Sequence, residues 1–308
     1  MTSARQRLFG ILLTRDEAPL LRVNILHHLA AGCERVIVID NGSSDQSHAI
    51  LRDLARRHPV DWTVEPGPLT QTEYVTAMAD EARQKGADWI LPLDTDEFWH
   101  QPRPYSELLA EAAAAGLGAL EVRRYEYVPA RDQLVTTTES LLRATWRVET
   151  VSFGEEAVNE FVRGERSMFE VEPPRKLLMR TARGLRVGRG AHAAEGLSGP
   201  IEFNSEVAIL HVPLRSRADL DKRLVHGRRL AAVTKNPEMG VQFRYWQRMA
   251  DEGRLDEAWR AHSYEDGALE VDGRRVELIE DRTVELLLRP RTVGRPRRAL
   301  MRLADRLR

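Results

Sequence analysis

Three short apolar runs each end in a polar cluster, and this pattern constrains the chain most. Leu8 to Thr14 runs into Thr14-Arg15-Asp16-Glu17. Arg35 to Asp40 contains Val-Ile-Val-Ile and ends in Asp40-Asn41-Gly42-Ser43. Trp89 to Leu93 runs into Asp94-Thr95-Asp96-Glu97-Phe98. Apolar runs of this length, without alternation, read as strands buried on both faces of a parallel sheet. Helical patterns separate them. Pro19 opens one that Gly32 closes, Asp45 caps another to about Arg57, and Gln71 to Lys85 forms a third, ended by Gly86. Strand–helix alternation implies right-handed crossovers and a mainly parallel α/β sheet flanked by helices. Ligands of such sheets bind beyond the carboxyl ends of the strands. The three polar clusters are therefore expected to converge on one crevice.

The remaining elements are less regular. Trp62 to Val64 reads as a short strand, Tyr105 to Ala115 as a helix and Ala119 to Tyr127 as a strand. Residues 128–172 show no clean period. Lys176 to Met179 and Leu185 to Val187 read as a hairpin around Gly184. Val207 to Leu210 is a buried strand ending at His211, and 217–233 and 242–250 are helical.

Composition removes several function classes. Of 308 residues, 42% are hydrophobic and 30% charged, a globular balance. A net charge of −1 argues against an electrostatic nucleic-acid binder. The single cysteine, Cys33, excludes an intrachain disulfide and a cysteine-rich zinc module. No run approaches the ~18 apolar residues of a membrane span. Residues 1–8 lack a signal peptide's apolar region and cleavage site, so the chain is expected in the cytoplasm. From Arg289 onward eight arginines face one acid, Asp305. This basic tail is a candidate for peripheral contact with the inner face of a membrane, or for a solvated terminal helix. Gly-x-Gly-x-x-Gly, P-loop, His-Glu-x-x-His and Gly-x-Ser-x-Gly motifs do not occur.

Asp94 and Asp96 stand at i and i+2, which in extended chain projects both carboxylates to one face. Two acids so placed repel each other unless a cation intervenes, and hard oxygen ligands suit Mg²⁺ or Mn²⁺. Such an ion can clamp a diphosphate and neutralise the charge it develops on leaving. A solvated strand end with helix-capping acids is the structural alternative. Asp40, at the tip of its strand, can accept hydrogen bonds from a base or ribose, or can simply open a turn.

Together, Thr14-Arg15-Asp16-Glu17, the run Val36 to Asp45 and the run Trp89 to Phe98 resemble the family 2 inverting glycosyltransferases with the GT-A fold, in the bacterial subgroup with an Asp-x-Asp-Glu-Phe ending. The resemblance covers about residues 8–128 well. It weakens to about 235, where Lys176, His192 and His211 to Ser216 carry it. It implies a GT-A-type nucleotide-diphospho-sugar transferase fold with a helical C-terminal extension. Residues 1–128 would be its nucleotide-sugar-binding half, 129–235 its acceptor-side half, and 236–308 the extension. It implies metal-dependent, inverting transfer of a sugar from a nucleotide-diphosphate donor to a hydroxyl acceptor (a glycan, lipid-linked or small molecule), in glycan or glycoconjugate biosynthesis. It places Asp40 on the base or ribose, Thr14 and Glu17 in the nucleoside pocket with Asp16 and Asn41 beside them, Asp94 on the ribose or metal, and Asp96 on the metal. Asp16 departs from the family's usual Asn.

His211 is a candidate third metal ligand, and His192 its competitor. Lys176 or Arg215 can pair with phosphate oxygens. Inversion needs a general base across the sugar from the leaving diphosphate. Glu155, Glu156, Glu160, Glu195 and Glu202 lie in the right half, and Glu195, in a Gly-rich loop beyond His192, is preferred. Two other classes fit the same sheet, a sugar-nucleotide nucleotidyltransferase and a catalytically degenerate nucleotide-sugar-binding protein. The acidic first loop (Asp16, Glu17) disfavours the former, and the intact Asp94/Asp96 pair disfavours the latter.

Overall fold

A computed structural model describes residues 5–68, 70–233 and 240–289. The basic tail beyond Arg289 lies outside the described residues. In chain order the elements are β1 (Leu8–Thr14), α1 (Ala18–Ala31), β2 (Arg35–Asp40), α2 (Ser47–Arg57), β3 (Val60–Val64), α3 (Gln71–Gln84), β4 (Trp89–Leu93), β5 (Glu97–His100), α4 (Tyr105–Ala114), β6 (Ala119–Glu126), β7 (Trp146–Arg147) and α5 (Gly154–Arg163). There follow β8 (Lys176–Arg180), β9 (Arg186–Val187), β10 (Ala194–Glu195), β11 (Ile201–His211), α6 (Arg217–Val233), α7 (Val241–Asp251), α8 (Leu255–Ala261), β12 (Ala268–Val271), β13 (Arg274–Glu277), β14 (Ile279–Glu280) and α9 (Thr283–Leu288).

The fold is α/β, and its eight-stranded sheet has the order β3-β2-β1-β4-β8-β6-β11-β5. β1 pairs in parallel with both β2 and β4, and β2 with β3. β8 runs antiparallel to β4 and to β6, so β6 points the same way as β4. Five strands thus share one direction, as the GT-A-type expectation requires. Successive residues of β1, β2 and β4 alternate between two cores. Leu12, Val36, Val38 and Leu91 pack with Leu21, Ile25, Leu51 and Leu109. Phe9, Ile11, Ile37 and Ile90 pack with Met78, Ala79 and Ala82 of α3. Apolar side chains on both faces explain why the runs do not alternate with polar residues.

Two expectations give way here. The hairpin around Gly184 does not form. β8 instead enters the main sheet between β4 and β6, while β9 pairs with β10. Leu177, Leu178 and Met179 are all buried, so this strand needs a neighbour on each edge and a core on each face, which a two-stranded hairpin lacks. The second concerns Asp94 and Asp96. β4 stops at Leu93, and the Glu97 amide donates to the Asp94 carbonyl at 3.1 Å, closing a turn. The two acids are not on an extended strand, and the turn delivers the chain directly into β5.

The chain divides into two compact units. The first comprises residues 5–124 with 174–210, and the second Tyr125–Pro173 with 211–289. The second unit has its own core, in which Phe161, Phe169, Tyr245 and Trp246 surround a fully buried His262. Both ring nitrogens are engaged. Nδ1 donates to the Ala258 carbonyl at 2.7 Å, and the Met168 amide donates to Nε2 at 3.3 Å. That pairing requires the neutral ring. Burial pulls its pKa from 6.5 down to about 4. In the unfolded chain the ring protonates below about pH 6.5, whereas the native ring cannot do so until about pH 4. Stability is therefore lost as pH falls through that window, by about 3 kcal/mol for this one group. Urea unfolding of wild type and His262→Gln from pH 7 to pH 4 checks this. The variant is expected to show the shallower loss, and equal slopes would refute the assignment.

Candidate functional site

The site is built where β1, β2 and β4 end. The parallel register sets Thr14 opposite Asp40 and Leu12 opposite Leu93, so Asp40, Thr14 and the turn after β4 are neighbours. Thr14 and Thr95 touch through their hydroxyls at 3.2 Å, and both are buried. The expected convergence of the three clusters is what the sheet produces.

Asp40 is fully buried. Its Oδ1 accepts from the Ser43 amide at 2.7 Å and from His48 Nε2 at 3.0 Å. Its Oδ2 is buried and finds no hydrogen-bond partner among the described residues. A buried carboxylate oxygen left in this state costs about 1–3 kcal/mol or more. Asn41 is used structurally: its Nδ2 donates to the Glu65 carbonyl at 2.6 Å and the Gly67 carbonyl at 3.2 Å, holding the loop after β3. Gly42 adopts φ +74°, and a Cβ there would meet Pro66 at 3.2 Å, so the tight turn requires glycine.

Asp16 joins the first two loops. Its Oδ1 accepts from the Ser44 amide at 2.6 Å and the Ser44 hydroxyl at 3.0 Å, and its own amide donates to Ser43 Oγ at 2.8 Å. Partial burial raises the Asp16 pKa, but the Ser44 hydrogen bonds outweigh it and the net shift is downward. Asp45 accepts from the Ser47 amide at α2 and from the Ala18 amide at α1, both at 2.9 Å. Glu17 precedes α1, where its carbonyl accepts from the Leu20 and Leu21 amides.

The turn after β4 is gripped from two sides. From α1, Asn24 Nδ2 donates to the carbonyls of Asp94 (3.1 Å), Thr95 (3.0 Å) and Glu97 (2.8 Å). One helical turn on, buried His28 accepts the Trp99 amide at Nε2 and donates Nδ1–H to the Asn24 carbonyl. Burial, reinforced by adjacent His27, holds the His28 pKa well below the ordinary value, so the ring stays neutral. From β8, Lys176 donates to Asp94 Oδ2 at 2.5 Å and Glu97 Oε2 at 2.6 Å. Arg124 faces the other oxygen of Glu97 at 3.5 Å. Lys176 and Glu97 are almost wholly buried, whereas the Asp94 side chain is 39% exposed. Burial alone would lower the Lys176 pKa, but Asp94 and Glu97 outweigh it and raise the value above that of a free lysine. The ammonium is a permanent charge. Asp96 sits in the same turn and is mostly buried.

The remaining candidates are placed as follows. Glu195 lies on β10 with its side chain 84% exposed, 3.9 Å from Arg186. Glu156 and Glu160 pair with Arg163 and Arg166, while Glu155 and Glu202 are exposed. His192 donates from Nδ1 to the Arg175 carbonyl at 2.7 Å. Arg215 is buried against Asp219. In the second unit, His211 Nδ1 lies 2.9–3.0 Å from both Glu126 carboxylate oxygens. A carboxylate partner of this kind fixes the tautomer with Nδ1–H and puts the lone pair on Nε2.

Asn24 is the residue that sequence reading missed. The signal was present: it interrupts the apolar stripe Leu20, Leu21, Ile25 at helical spacing. Glu97 was read only as part of a motif, although it is the buried counter-charge of Lys176.

Among the described residues, no helix is long and apolar enough to cross a membrane. No family model and no curated protein matches the chain. Solved structures similar to it include Staphylococcus aureus TarS residues 1–349 in complex with UDP-GlcNAc. That likeness has 12% identity, covers 88% of this chain and 96% of that one, and has a TM-score of 0.41. They also include the mannosyltransferase PcManGT of Pyrobaculum calidifontis with GDP-Man and Mn²⁺. Here identity is 14%, coverage 98% of this chain and 85% of that one, and the TM-score 0.41. Likenesses this distant say nothing about substrate or reaction.

Replacing Asn24 with Leu keeps the side chain's branching but strips three carbonyls of their donor. It is expected to cost about 2–4 kcal/mol, by the usual penalty for buried unpaired polar groups. Urea denaturation checks this, and a loss under about 0.5 kcal/mol would show that the clasp contributes little.

Proposed function

We propose that the chain is a glycosyltransferase, moving a sugar from a nucleotide-diphosphate donor to a hydroxyl acceptor with inversion. The observation that carries the reading is the orphaned, buried Oδ2 of Asp40 at the carboxyl end of β2, beside the β4 turn that bears Asp94 and Asp96. In this reading Oδ2 accepts from a base or ribose donor of the nucleotide. Thr14, Asp16, Glu17 and Asn41 shape the pocket around it, Asp94 serves the ribose or metal, and Asp96 the metal. Residues 1–128 act as the donor half and 129–235 as the acceptor half.

Whether the donor set fits a divalent cation can be tested on its chemistry. Among the described residues, no three or more His, Cys, Asp or Glu side chains are grouped to hold a metal ion. Mg²⁺ and Mn²⁺ sites on phosphate substrates often take only one or two carboxylates, the rest coming from phosphate and water. Asp96, with Asp94, fits that pattern. When bound, the cation would neutralise charge on the leaving diphosphate. The turn held by Asn24 would orient the donor.

Two measurements test the reading. A screen of nucleotide sugars for release of nucleoside diphosphate is expected to find one donor whose turnover stops on chelation. Asp40→Ala is expected to weaken binding of that nucleoside diphosphate by roughly ten- to a hundredfold, the cost of a charge-assisted hydrogen bond. Unchanged calorimetric affinity would put the nucleotide elsewhere.

The base is the acceptor side's contribution. Glu195 lies next to Gly196, which has φ +74°, and in this reading a movement of that segment would bring the carboxylate toward bound donor. Glu195→Gln is expected to reduce transfer by about 10²–10⁴ while donor affinity holds. Unaffected transfer would move the role to another acid or to a histidine.

A further inference from the structure

Lys176 sits at the centre of the candidate site, yet its ammonium faces two carboxylates of its own chain. Its backbone belongs to β8, which is hydrogen-bonded between β4 and β6 and sets Lys176 opposite Val122. The side chain is 2% exposed and is pinned at its tip by Glu97, itself fully buried and approached by Arg124. Such a lysine cannot swing aside when a ligand arrives. Its charge is a fixed feature of the turn that bears Asp94 and Asp96.

The consequence is electrostatic. Lys176 Nζ lies 2.5 Å from Asp94 Oδ2 and 2.6 Å from Glu97 Oε2, and Arg124 faces Glu97. The carboxylate of Asp94 is therefore partly offset by a buried ammonium in direct contact with it, although its side chain reaches solvent. A divalent cation approaching Asp94 would share that carboxylate with an ammonium 2.5 Å from Oδ2. Like charges at such separations repel strongly in a partly desolvated site. A diphosphate reverses the balance by bringing its own negative charge to the cation's other side. We propose that Lys176 is a positioning and charge-setting residue that keeps the Asp94–Asp96 turn from retaining a divalent cation until the donor's diphosphate is present, so that metal and donor enter the site together. The inference rests on the donor-binding reading above.

The test is direct Mn²⁺ binding followed by electron paramagnetic resonance, with no turnover needed. Wild type is titrated with Mn²⁺ alone and with Mn²⁺ in the presence of saturating UDP or GDP. At least tenfold tighter binding with nucleotide, measured against nucleotide–Mn²⁺ controls without protein, is expected. The paired variant Lys176→Met/Glu97→Gln removes both charges of the buried pair and so avoids stranding a carboxylate. It is expected to bind Mn²⁺ alone at least tenfold more tightly than wild type, and Lys176→Arg to behave as wild type. Equal wild-type affinity for Mn²⁺ with and without nucleotide overturns the inference, and this comparison decides it even if the paired variant does not fold. A folded paired variant with wild-type affinity for Mn²⁺ alone overturns it too, while leaving the donor reading in place if UDP or GDP binds. Wild type that binds neither UDP nor GDP, with Mn²⁺ present, sinks the donor reading and this inference with it.

Discussion

A lysine and a glutamate buried together, Lys176 and Glu97, fix the part of the molecule where chemistry is expected. Burying such a pair yields little net stability, because desolvation of both charges offsets their attraction. Removing one partner is another matter, since it strands the other charge and costs about 3–5 kcal/mol. The pair thus acts less as a source of stability than as a lock. It ties β8 to the turn after β4, since Lys176 reaches both Glu97 and Asp94 from that strand. With β8 in place, the turn after β4 has a strand on one flank and α1 on the other. Asn24 takes the backbone of that turn and Lys176 takes its side chains. Backbone and side chain are held by separate devices, which leaves little freedom in the direction of Asp94.

The first two loops are joined by a different logic. Here the bonds are short-range and polar, and they cross between loops. Asp16 reaches from the β1–α1 loop to Ser44, and Asp45 reaches back from the β2–α2 loop to the α1 amide. Each carboxylate satisfies helix-end or turn amides that would otherwise lack partners. Acidic loops usually suggest cation binding, yet Asp16 and Asp45 are largely consumed in holding the loops together. Asp40 differs, since one of its oxygens is used in this way and the other is not.

Much of this was legible in the sequence for a simple reason. β1, β2 and β4 are buried on both faces, so their composition records their environment directly, and Gly32 and Gly86 mark where helices end. The three clusters at their ends followed from topology alone. β8 was misread because a short apolar strand carries no mark of its neighbours. Its buried charged residue, Lys176, finds Glu97 79 positions away, a contact that no local pattern announces. The turn at Asp94 was read as extended because the i, i+2 rule applies only while the strand lasts. What ends it is the Asn24 clasp, a tertiary contact across 70 or more residues. Asn24 announced itself only as a polar residue in an apolar stripe.

Asn24 Oδ1 and Asp40 Oδ2 are both buried near the site without a hydrogen-bond partner among the described residues, and they do not carry equal weight. The Asn24 side chain donates to three carbonyls, and those bonds offset a neutral oxygen left dry. Asp40 Oδ2 belongs to an acid rather than an amide. Leaving an acid's oxygen unpaired costs more than leaving an amide's, because the acid is the more strongly hydrated group in the unfolded chain. A chain that only had to fold would do better with Asn or Ser at the end of β2, since either can cap the same turn. The acid makes physical sense if a donor group reaches Oδ2 during function. The strand register puts that oxygen's residue beside Thr14, itself in contact with Thr95 of the turn that Lys176 and Asn24 hold in place. An unpaired acceptor on one strand end and a rigid acidic turn on the next are complementary to a ligand with a hydrogen-bond donor at one end and negative charge at the other. A nucleoside diphosphate has that polarity along its length.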